Sequence, residues 1–289
     1  MRNLLVTGMN GQLGSEIRAL AASYPDYVFT FTDRSTLDLS NLCKMEDFFE
    51  GKTFDAIINC AAYTAVDKAE SDPHGADAIN HRFVSMLAKI AKRSGSSLIH
   101  VSTDYVFDGR NHRPYVETDP TDPQGVYGRT KRDGENAILA AAPENTAIIR
   151  TSWVYSSFGN NFVKTMLRLG RERETLGVIY DQVGTPTYAR DLAKTILDIL
   201  PQLRNERPEI YHYSNEGVAS WYDFAQAIFE LSDIGCDLKA LTTDQYPTPA
   251  VRPHYSLLNK SKIKTDFDLI IPYWKDSLKE CLTLLGEKQ

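Results

Sequence analysis

The chain has 289 residues, of which 42% are hydrophobic and 24% charged, an ordinary globular composition that excludes a disordered or membrane-embedded protein. A fold of this size buries roughly three-quarters of the surface of its unfolded chain, so it needs no disulfide or metal for stability. The net charge of −6 argues against a nucleic-acid surface.

Cysteine usage and hydropathy predict a cytoplasmic protein. The four cysteines follow no ligand spacing, so we expect reduced thiols at Cys43, Cys60, Cys236 and Cys281. The first residues run directly into a glycine turn, and we therefore expect no signal peptide. No apolar run approaches the roughly eighteen residues that a membrane-spanning helix needs.

A glycine turn near the start of the chain predicts a dinucleotide site. Residues 4–7 are a short apolar run typical of a buried parallel strand, and residues 15–22 have an amphipathic helical pattern. The glycines between them allow a tight turn, a close approach of a pyrophosphate and close packing of helix on strand. The positive end of the helix then faces the phosphates. The predicted cofactor contacts of this turn are Gly8, Asn10, Gly11, Gln12, Leu13 and Gly14.

A second apolar run, residues 27–32, ends at an acidic and a basic residue. Asp33 would accept a hydrogen bond from the adenine ribose and favour NADH, whereas Arg34 would pair with the 2′-phosphate of NADPH, so both cofactors are open. Asp38 and Leu39 are predicted at the adenine edge. Alternatively, Asp38 only turns the chain before a helix at residues 41–50.

Three further apolar runs, at residues 54–60, 98–102 and 147–152, complete the predicted sheet, with helices between them that include residues 75–94. This alternation predicts an α/β fold, a doubly wound parallel sheet of Rossmann-like type with a smaller α/β substrate-binding lid domain. Small side chains after the third strand would let a cofactor lie against the backbone. The remaining predicted cofactor contacts are Ala61, Ala62, Tyr63, Thr64 and Asn80.

After a proline-rich loop, the next predicted helix carries Tyr127 and Lys131. Side chains four positions apart lie on one helix face, about 5–6 Å from each other. A lysine charge beside a phenol would lower its pKa by up to about three units and make it a better acid near neutral pH. The alternative is a surface pair without a chemical role.

The second half of the chain is less regular. Its predicted helices cover residues 162–171, 191–200, 221–231 and 274–285, and a strand is predicted at residues 210–213. We expect the helix at residues 191–200 and this strand to return to the main sheet. The predicted NAD(P)-binding domain comprises residues 1–152 and about 178–214, and the substrate-binding domain comprises residues of about 153–177 and 215–289.

Six motifs along the chain resemble those of a known family. They are Gly8-x-x-Gly11-x-x-Gly14 and the segments at residues 64–70 (TAVDKAE), 102–109 (STDYVFDG), 127–131 (YGRTK), 150–155 (RTSWVY) and 159–162 (GNNF). The chain resembles the extended short-chain dehydrogenase/reductases, and among them the dTDP-4-dehydrorhamnose reductases. The resemblance implies reduction of the 4-keto group of dTDP-4-dehydro-6-deoxy-L-mannose by NADPH or NADH.

The resemblance also implies roles for individual residues. Thr103 would hydrogen-bond the substrate carbonyl, Tyr127 would donate the proton, and Lys131 would hold the nicotinamide ribose while lowering the pKa of the phenol. The implied substrate contacts are Val66, Thr103, Asp104, Tyr105, Trp153, Asn161 and Arg252.

Four of these substrate residues have structural alternatives. Asp104 is also suited to a turn after its strand. Trp153 would stack on the substrate or pack within the lid domain. Asn161 would contact phosphate or cap the following helix, and Arg252 would bind a pyrophosphate or lie at the solvated surface.

The chain departs from the family at a metal site. Some members share a magnesium ion between subunits through glutamates, and Glu16 matches one of them. Arg190 and Leu284 stand where two others are expected. We therefore predict no metal, and a monomer or weak homodimer.

Two other functions share this fold. One is a cofactor-binding regulatory subunit, similar to the regulatory partner of methionine adenosyltransferase. The other is a nucleotide-sugar epimerase or dehydratase, although a dehydratase is expected to have an Asp-Glu pair where this chain has Asp104 and Tyr105.

Overall fold

The computed structural model describes residues 1–287, without the side chain of Leu42. The strands are β1 (Arg2–Thr7), β2 (Tyr27–Thr32), β3 (Ala56–Asn59), β4 (Ser97–Thr103), β5 (Thr146–Thr151), β6 (Val154–Tyr155), β7 (Thr175–Ile179), β8 (Val183–Gly184), β9 (Thr187–Tyr188), β10 (Glu209–His212), β11 (Ala219–Ser220) and β12 (Asp237–Leu241). The α-helices are α1 (Gln12–Leu20), α2 (Leu42–Phe49), α3 (Val66–Ser71), α4 (Pro73–Asp77), α5 (Phe83–Ser94), α6 (Val126–Ala141), α7 (Phe162–Glu172), α8 (Ala189–Ile199), α9 (Trp221–Leu231), α10 (Ser261–Phe267) and α11 (Trp274–Leu284). Within the described range, none of these helices combines the length and apolar composition needed to cross a membrane.

Six parallel strands form the main sheet, in the order β10-β5-β4-β3-β1-β2. The chain moves outward from β1 to β2 and then crosses to β3 on the other side of β1, so the strand order reverses between β1 and β3. Ligands of open parallel sheets bind at such a reversal, beyond the carboxyl ends of the strands. The predicted doubly wound class is confirmed, and the reversal lies where β1 ends at Thr7 and β3 ends at Asn59.

Alternate residues of the buried strands face two helix layers. Leu4 and Val6 of β1 pack with α1, α8 and α10, whereas Leu5 packs with α2, α5 and α6. Because successive side chains of a strand point to opposite faces, a sheet covered on both sides requires the continuous apolar runs of this sequence. Helix α8 and strand β10 return to this sheet, as predicted.

The predicted helix after β3 is a continuous helical segment that contains a π-helical turn. α4 leads into this turn, at Ala78–Arg82, and the turn leads into α5. Such turns often occur at functional sites. Here the wider turn carries Asn80, which is 1% exposed, toward α6. Gly134 of α6 permits this approach, since a Cβ there would overlap the carbonyl oxygen of Asn80.

The second half of the chain forms its own apolar cluster. Side chains of α7, α9 and α11 pack around β7 and β12, which pair with each other, and around Tyr155 and Tyr188. Helix α10 differs, because its Ile263 and Phe267 join the cluster on the main sheet. The division into two domains stays a prediction, and the packing of α10 crosses the predicted boundary.

A buried ion pair joins α6 to β5. The side chains of Glu135 and Arg150 are 2% and 3% exposed, and Arg150 donates to both carboxylate oxygens at 2.7 to 3.2 Å. Ser102 of β4 donates to the same carboxylate. Since α6 also carries Tyr127 and Lys131, this pair fixes the position of both residues relative to β4 and β5.

We expect Glu135→Leu to lower the free energy of unfolding by about 3–5 kcal/mol, because it leaves the Arg150 guanidinium buried and uncompensated. Urea denaturation measures the loss, and adding Arg150→Met should recover most of it. The matched control is Glu172→Ala, which removes the exposed pair with Arg168 and should cost less than about 1 kcal/mol. A Glu135→Leu loss no larger than that of the control would contradict the prediction.

Candidate active site

The turn between β1 and α1 lies against the segment that follows β3. Gly8 has a left-handed backbone, with φ 73°, and a Cβ on it would lie 2.9 Å from the backbone of Ala61. A Cβ on Gly14 would lie 2.8 Å from the Cα of Met9. Among the described residues, no side chain caps the start of α1 at Gly11, so its first N–H groups are available to an anion. This cradle fits a dinucleotide pyrophosphate.

Asp33, at the end of β2, is an ionised acceptor beside this turn. The Ser35 hydroxyl donates to its carboxylate at 2.7 Å, the N–H groups of Thr36 and Ser35 also donate, and these bonds lower the pKa of Asp33 to about 2. Asn10 of the glycine turn donates to the other carboxylate oxygen at 3.1 Å. An ionised carboxylate suits a ribose hydroxyl, and Arg34 is exposed next to it, so both cofactors stay open.

The contacts of Asp38 favour the turn alternative. Its carboxylate accepts hydrogen bonds from the hydroxyl of Ser40 at 2.6 Å and from the N–H of Ser40 at 3.1 Å, which lower its pKa. Asn41 then caps α2. Leu39 packs partly against the apolar cluster formed by α2 and α5. A role for Asp38 and Leu39 at an adenine ring stays a prediction.

Asn80 fixes the segment after β3 to α6. Its Oδ1 accepts a hydrogen bond from the N–H of Tyr63 at 2.8 Å, and its Nδ2 donates to the carbonyl of Tyr63 at 3.1 Å and to the hydroxyl of Thr130 at 3.2 Å. With its amide used in this way, Asn80 positions the residues predicted to face the cofactor. Of these, Ala61, Ala62 and Tyr63 are half-buried and Thr64 is exposed.

Thr103, Asp104 and Tyr127 meet where β4 ends against the start of α6. The hydroxyl of Thr103 donates to Oδ1 of Asp104 at 2.9 Å and accepts a hydrogen bond from the N–H of Tyr105 at 3.2 Å. The rings of Tyr105 and Tyr127 pack edge to face with centroids 5.4 Å apart. Helix α6 approaches this closely because Gly128 has no side chain. A Cβ on Gly128 would lie 2.9 Å from the carbonyl carbon of Tyr105.

The expected lowering of the Tyr127 pKa is wrong for this structure. Burial raises the pKa of Tyr127 to about 12; the hydrogen bond with Thr103 lowers it in part, and the charge of Asp104 raises it. Moving a phenolate out of water costs more free energy than one hydrogen bond from a neighbouring donor recovers. Tyr127 therefore keeps its proton at neutral pH, as a proton donor requires.

The nitrogen of Lys131 contacts groups other than the phenol. Its Nζ donates to the carbonyl of Val101 at 2.6 Å and lies 3.2 Å from Nε2 of His100. The side chain is 1% exposed. Burial lowers the pKa of Lys131 to about 8, and the charge of Glu135 opposes this shift.

Sequence reasoning missed three polar residues beneath the site. Thr7, Asn59 and His100 each have 0% exposure, in β1, β3 and β4. The Thr7 hydroxyl donates to Oδ1 of Asn59 at 2.6 Å, and Nδ2 of Asn59 lies 2.9 Å from Nδ1 of His100. They connect the glycine turn to Lys131. The available signal was a polar residue inside an otherwise apolar buried strand, since such a residue needs a partner.

Arg252 contacts the first half of the chain through Asp67. Its Nη2 is 2.6 Å from the Asp67 carboxylate, which also accepts from the N–H of Ala250 at 3.2 Å. Nη1 of Arg252 and Oδ2 of Asp104 are buried and make no hydrogen bond of ordinary geometry within the described part of the chain, although Ser256 interacts with the Asp104 carboxylate and Tyr105 with Arg252. Val66, predicted as a substrate contact, begins the helix that carries Asp67.

Trp153 packs against another tryptophan and Asn161 caps a helix, as the structural alternatives predict. Trp153, with φ 49°, stacks on Trp221 with centroids 3.8 Å apart. Asn161 caps α7 by accepting from the N–H of Lys164 at 3.1 Å, and its Nδ2 donates to Oε1 of Gln12 at 2.9 Å. The last bond joins a predicted substrate residue to the glycine turn. Direct contact of either residue with a substrate stays a prediction.

At the family's metal position, a guanidinium lies between two glutamates. Glu16 is fully buried and accepts from the hydroxyl of Ser156 at 2.6 Å. Arg190 is 3.4 Å from Glu16 and 3.5 Å from Glu280, and the side chain of Leu284 is exposed. In residues 1–287, no three His, Cys, Asp or Glu side chains are grouped so that they could hold a metal ion.

Comparisons with known proteins agree with one another. A family model described as "RmlD substrate binding domain" matches residues 1–286. A dTDP-4-dehydrorhamnose reductase of Aggregatibacter actinomycetemcomitans is 41% identical over 289 residues, which cover 96% of this chain and 98% of that protein. The crystal structure of a dTDP-4-dehydrorhamnose reductase from Clostridium acetobutylicum has a TM-score of 0.93 and 41% identity and covers 98% of this chain and 99% of its own. A Bacillus anthracis reductase in complex with NADP has a TM-score of 0.92 and 34% identity, with coverage of 98% and 99%.

We expect Gly14→Ala to weaken NADPH binding at least about tenfold, equivalent to about 1.4 kcal/mol, because its Cβ would displace the turn that forms the pyrophosphate cradle. Isothermal titration calorimetry measures the affinity. Gly235→Ala is the control, since a Cβ there has nothing within 4 Å. Wild-type affinity in a folded Gly14→Ala variant would exclude the cradle.

Proposed function

The chain belongs to the dTDP-4-dehydrorhamnose reductase family, and from this we propose that it reduces the 4-keto group of dTDP-4-dehydro-6-deoxy-L-mannose to give dTDP-L-rhamnose. The observation that carries the proposal is the placement of the Tyr127 phenol beside Thr103, where β4 of the dinucleotide-binding sheet ends against the start of α6. A donor held at that edge can reach an oxygen of a ligand bound over the strand ends.

NADPH or NADH supplies the hydride when it is bound. The glycine cradle at Gly8, Gly11 and Gly14 would hold its pyrophosphate, Asp33 and Arg34 would lie near its adenine ribose, and Lys131 would hold the nicotinamide ribose. The backbone of residues 61–64, fixed by Asn80, would form the wall against which the nicotinamide half lies.

Tyr127 and Thr103 would act on the substrate carbonyl. As the carbonyl carbon accepts a hydride, negative charge develops on its oxygen, where a positioned acid typically contributes about 10²–10⁴-fold. Tyr127 donates its proton to that oxygen, and the Thr103 hydroxyl stabilises it by a second hydrogen bond. To do so, the Thr103 proton must turn from Asp104, which now accepts it. A positive charge on Lys131 would stabilise the phenolate that remains.

Buried polar atoms of Asp104 and Arg252 are suited to bind the sugar and the diphosphate of the substrate. Oδ2 of Asp104 would accept from a sugar hydroxyl next to the carbonyl, and Nη1 of Arg252 would donate to the diphosphate. Asp67 holds Arg252 in place for that contact. Val66, Tyr105, Trp153 and Asn161 would complete the site around the sugar and the base.

The alternatives differ in their use of the cofactor. An epimerase or dehydratase recycles bound cofactor, and a regulatory subunit binds a partner enzyme without turnover. Stoichiometric oxidation of added NADPH by a panel of 4-keto nucleotide sugars therefore separates a reductase from both classes. Absence of oxidation with every sugar would reject the proposed function.

We further propose a cytoplasmic location and a monomer or weak homodimer. The free state of the four thiols supports the first. The internal cation of Arg190 between Glu16 and Glu280 supports the second, because it balances the carboxylates within one chain.

We expect Tyr127→Phe to lower kcat by about 10²–10⁴-fold with little change in NADPH affinity, because it removes the proton donor and leaves the cradle intact. Stopped-flow oxidation of NADPH measures kcat. Tyr180→Phe, which removes the hydroxyl of an exposed tyrosine, is the matched control. A variant with near wild-type kcat would show that the proton comes from another group.

The pKa of Tyr127 also predicts how kcat depends on pH. Because the pKa of Tyr127 is raised to about 12, the acid form is present throughout the neutral range, and deprotonation at higher pH removes the donor. We therefore expect no increase in kcat between about pH 6 and pH 9. A rate that rises through this range would assign Tyr127 the role of a base.

A further inference from the structure

A row of buried polar side chains runs beneath the carboxyl ends of three strands and ends at the nitrogen of Lys131. It consists of Thr7, Asn59, His100 and Lys131, none more than 1% exposed. Successive contacts measure 2.6, 2.9 and 3.2 Å, and Lys131 then donates to the carbonyl of Val101 at 2.6 Å. In a buried row, every hydrogen must point to an acceptor.

The backbone fixes the orientation of the first amide. The N–H of Ala61 can only donate, and it lies 3.2 Å from Oδ1 of Asn59. Exchanging the amide oxygen and nitrogen of Asn59 would place two N–H donors against each other at this contact. Oδ1 of Asn59 therefore faces Ala61 and Thr7, and its Nδ2 donates toward His100.

The tautomer of His100 follows from that orientation. Since Nδ1 accepts the hydrogen bond from Asn59 at 2.9 Å, the single proton of the neutral imidazole is on Nε2. Burial and the charge of Lys131 lower the pKa of His100 well below its ordinary value, so the ring stays neutral. The N–H of Nε2 then points at Nζ of Lys131, 3.2 Å away.

We propose that His100 is a positioning residue that biases Lys131 toward its neutral amine, because Asn59 holds the His100 proton on the nitrogen that faces the lysine. A neutral amine has a lone pair to accept from His100 and hydrogens to donate to Val101. An ammonium has three donors and no acceptor, so it would face another N–H at 3.2 Å.

The other groups around Lys131 also affect the equilibrium between its charged and neutral forms. Glu135, one turn further along α6, favours the charged form of Lys131, but its own charge is compensated by the bidentate pair with Arg150. Tyr127, one turn earlier, is neutral at the same pH. Burial disfavours the ammonium, and the pKa of Lys131 of about 8 agrees with this balance.

The consequence for catalysis rests on the proposed function. If the charge of Lys131 stabilises the phenolate of Tyr127, kcat declines as Lys131 loses its proton, and His100 sets the pH of that decline. Replacing His100 by Gln would allow an amide oxygen to face the ammonium, so the lysine would keep its proton to higher pH.

The primary test is NMR of the wild-type protein labelled with ¹⁵N-histidine. We expect Nε2 of His100 to resonate as a protonated nitrogen and Nδ1 as an unprotonated one. In Asn59→Asp, whose carboxylate accepts from Nδ1–H, the two signals should exchange roles. The opposite tautomer in the wild type would overturn the proposal, whether or not the protein proves to be a reductase.

The second test is the titration of Lys131, followed by the ¹³Cε signal of labelled lysine. We expect His100→Gln to raise its midpoint by about one pH unit, a tenfold change in proton affinity. His212→Gln is the matched control, because His212 is buried in the adjacent half of the sheet and contacts Tyr115. An unchanged midpoint in folded His100→Gln would overturn the proposal. If that variant does not fold, the wild-type tautomer decides.

Discussion

Burial of ionisable groups at the carboxyl ends of the sheet is the constraint on which the site depends. Helix α6 places Tyr127, Lys131 and Glu135 at four-residue intervals against β4 and β5. Burial raises the pKa of the phenol and lowers that of the amine, so both move toward neutral forms. Glu135 instead remains paired with Arg150 through three hydrogen bonds, because a buried charge needs such geometry to be compensated. One helix face thus supplies a proton donor, a titratable amine and an anchor.

Much of the fold and part of the candidate site could be predicted from the sequence, because they depend on local patterns. Apolar runs and glycine spacing located the strands and the turn, and a four-residue spacing placed Tyr127 and Lys131 on one face of α6. The direction of the Tyr127 pKa shift could not be predicted, since it depends on desolvation and on where Nζ of Lys131 points. Asn59 and His100 were missed because each is a single polar residue in an apolar run, with a partner in another strand.

The packing of the site residues in the second half depends on contacts between distant residues. Whether Asn161 caps a helix or faces a ligand depends on where α7 lies, which periodicity does not specify. Its bond to Gln12 and the pair between Arg252 and Asp67 each connect positions more than one hundred residues apart. Both contacts join the second half of the chain to residues predicted to surround the cofactor and substrate. A change in the position of either half would therefore alter these contacts with the glycine turn and with α3.

The raised pKa of Tyr127 also bears on the direction of the proposed reaction. A phenol with a pKa of about 12 is too weak an acid to protonate a ketone, but it can protonate the alkoxide that forms as the hydride arrives. Proton transfer is then tied to hydride transfer. In the opposite direction the same residue would have to act as a phenolate, a form that burial disfavours. Desolvation of Tyr127 therefore keeps the proton on the phenol until the alkoxide forms in the proposed reduction.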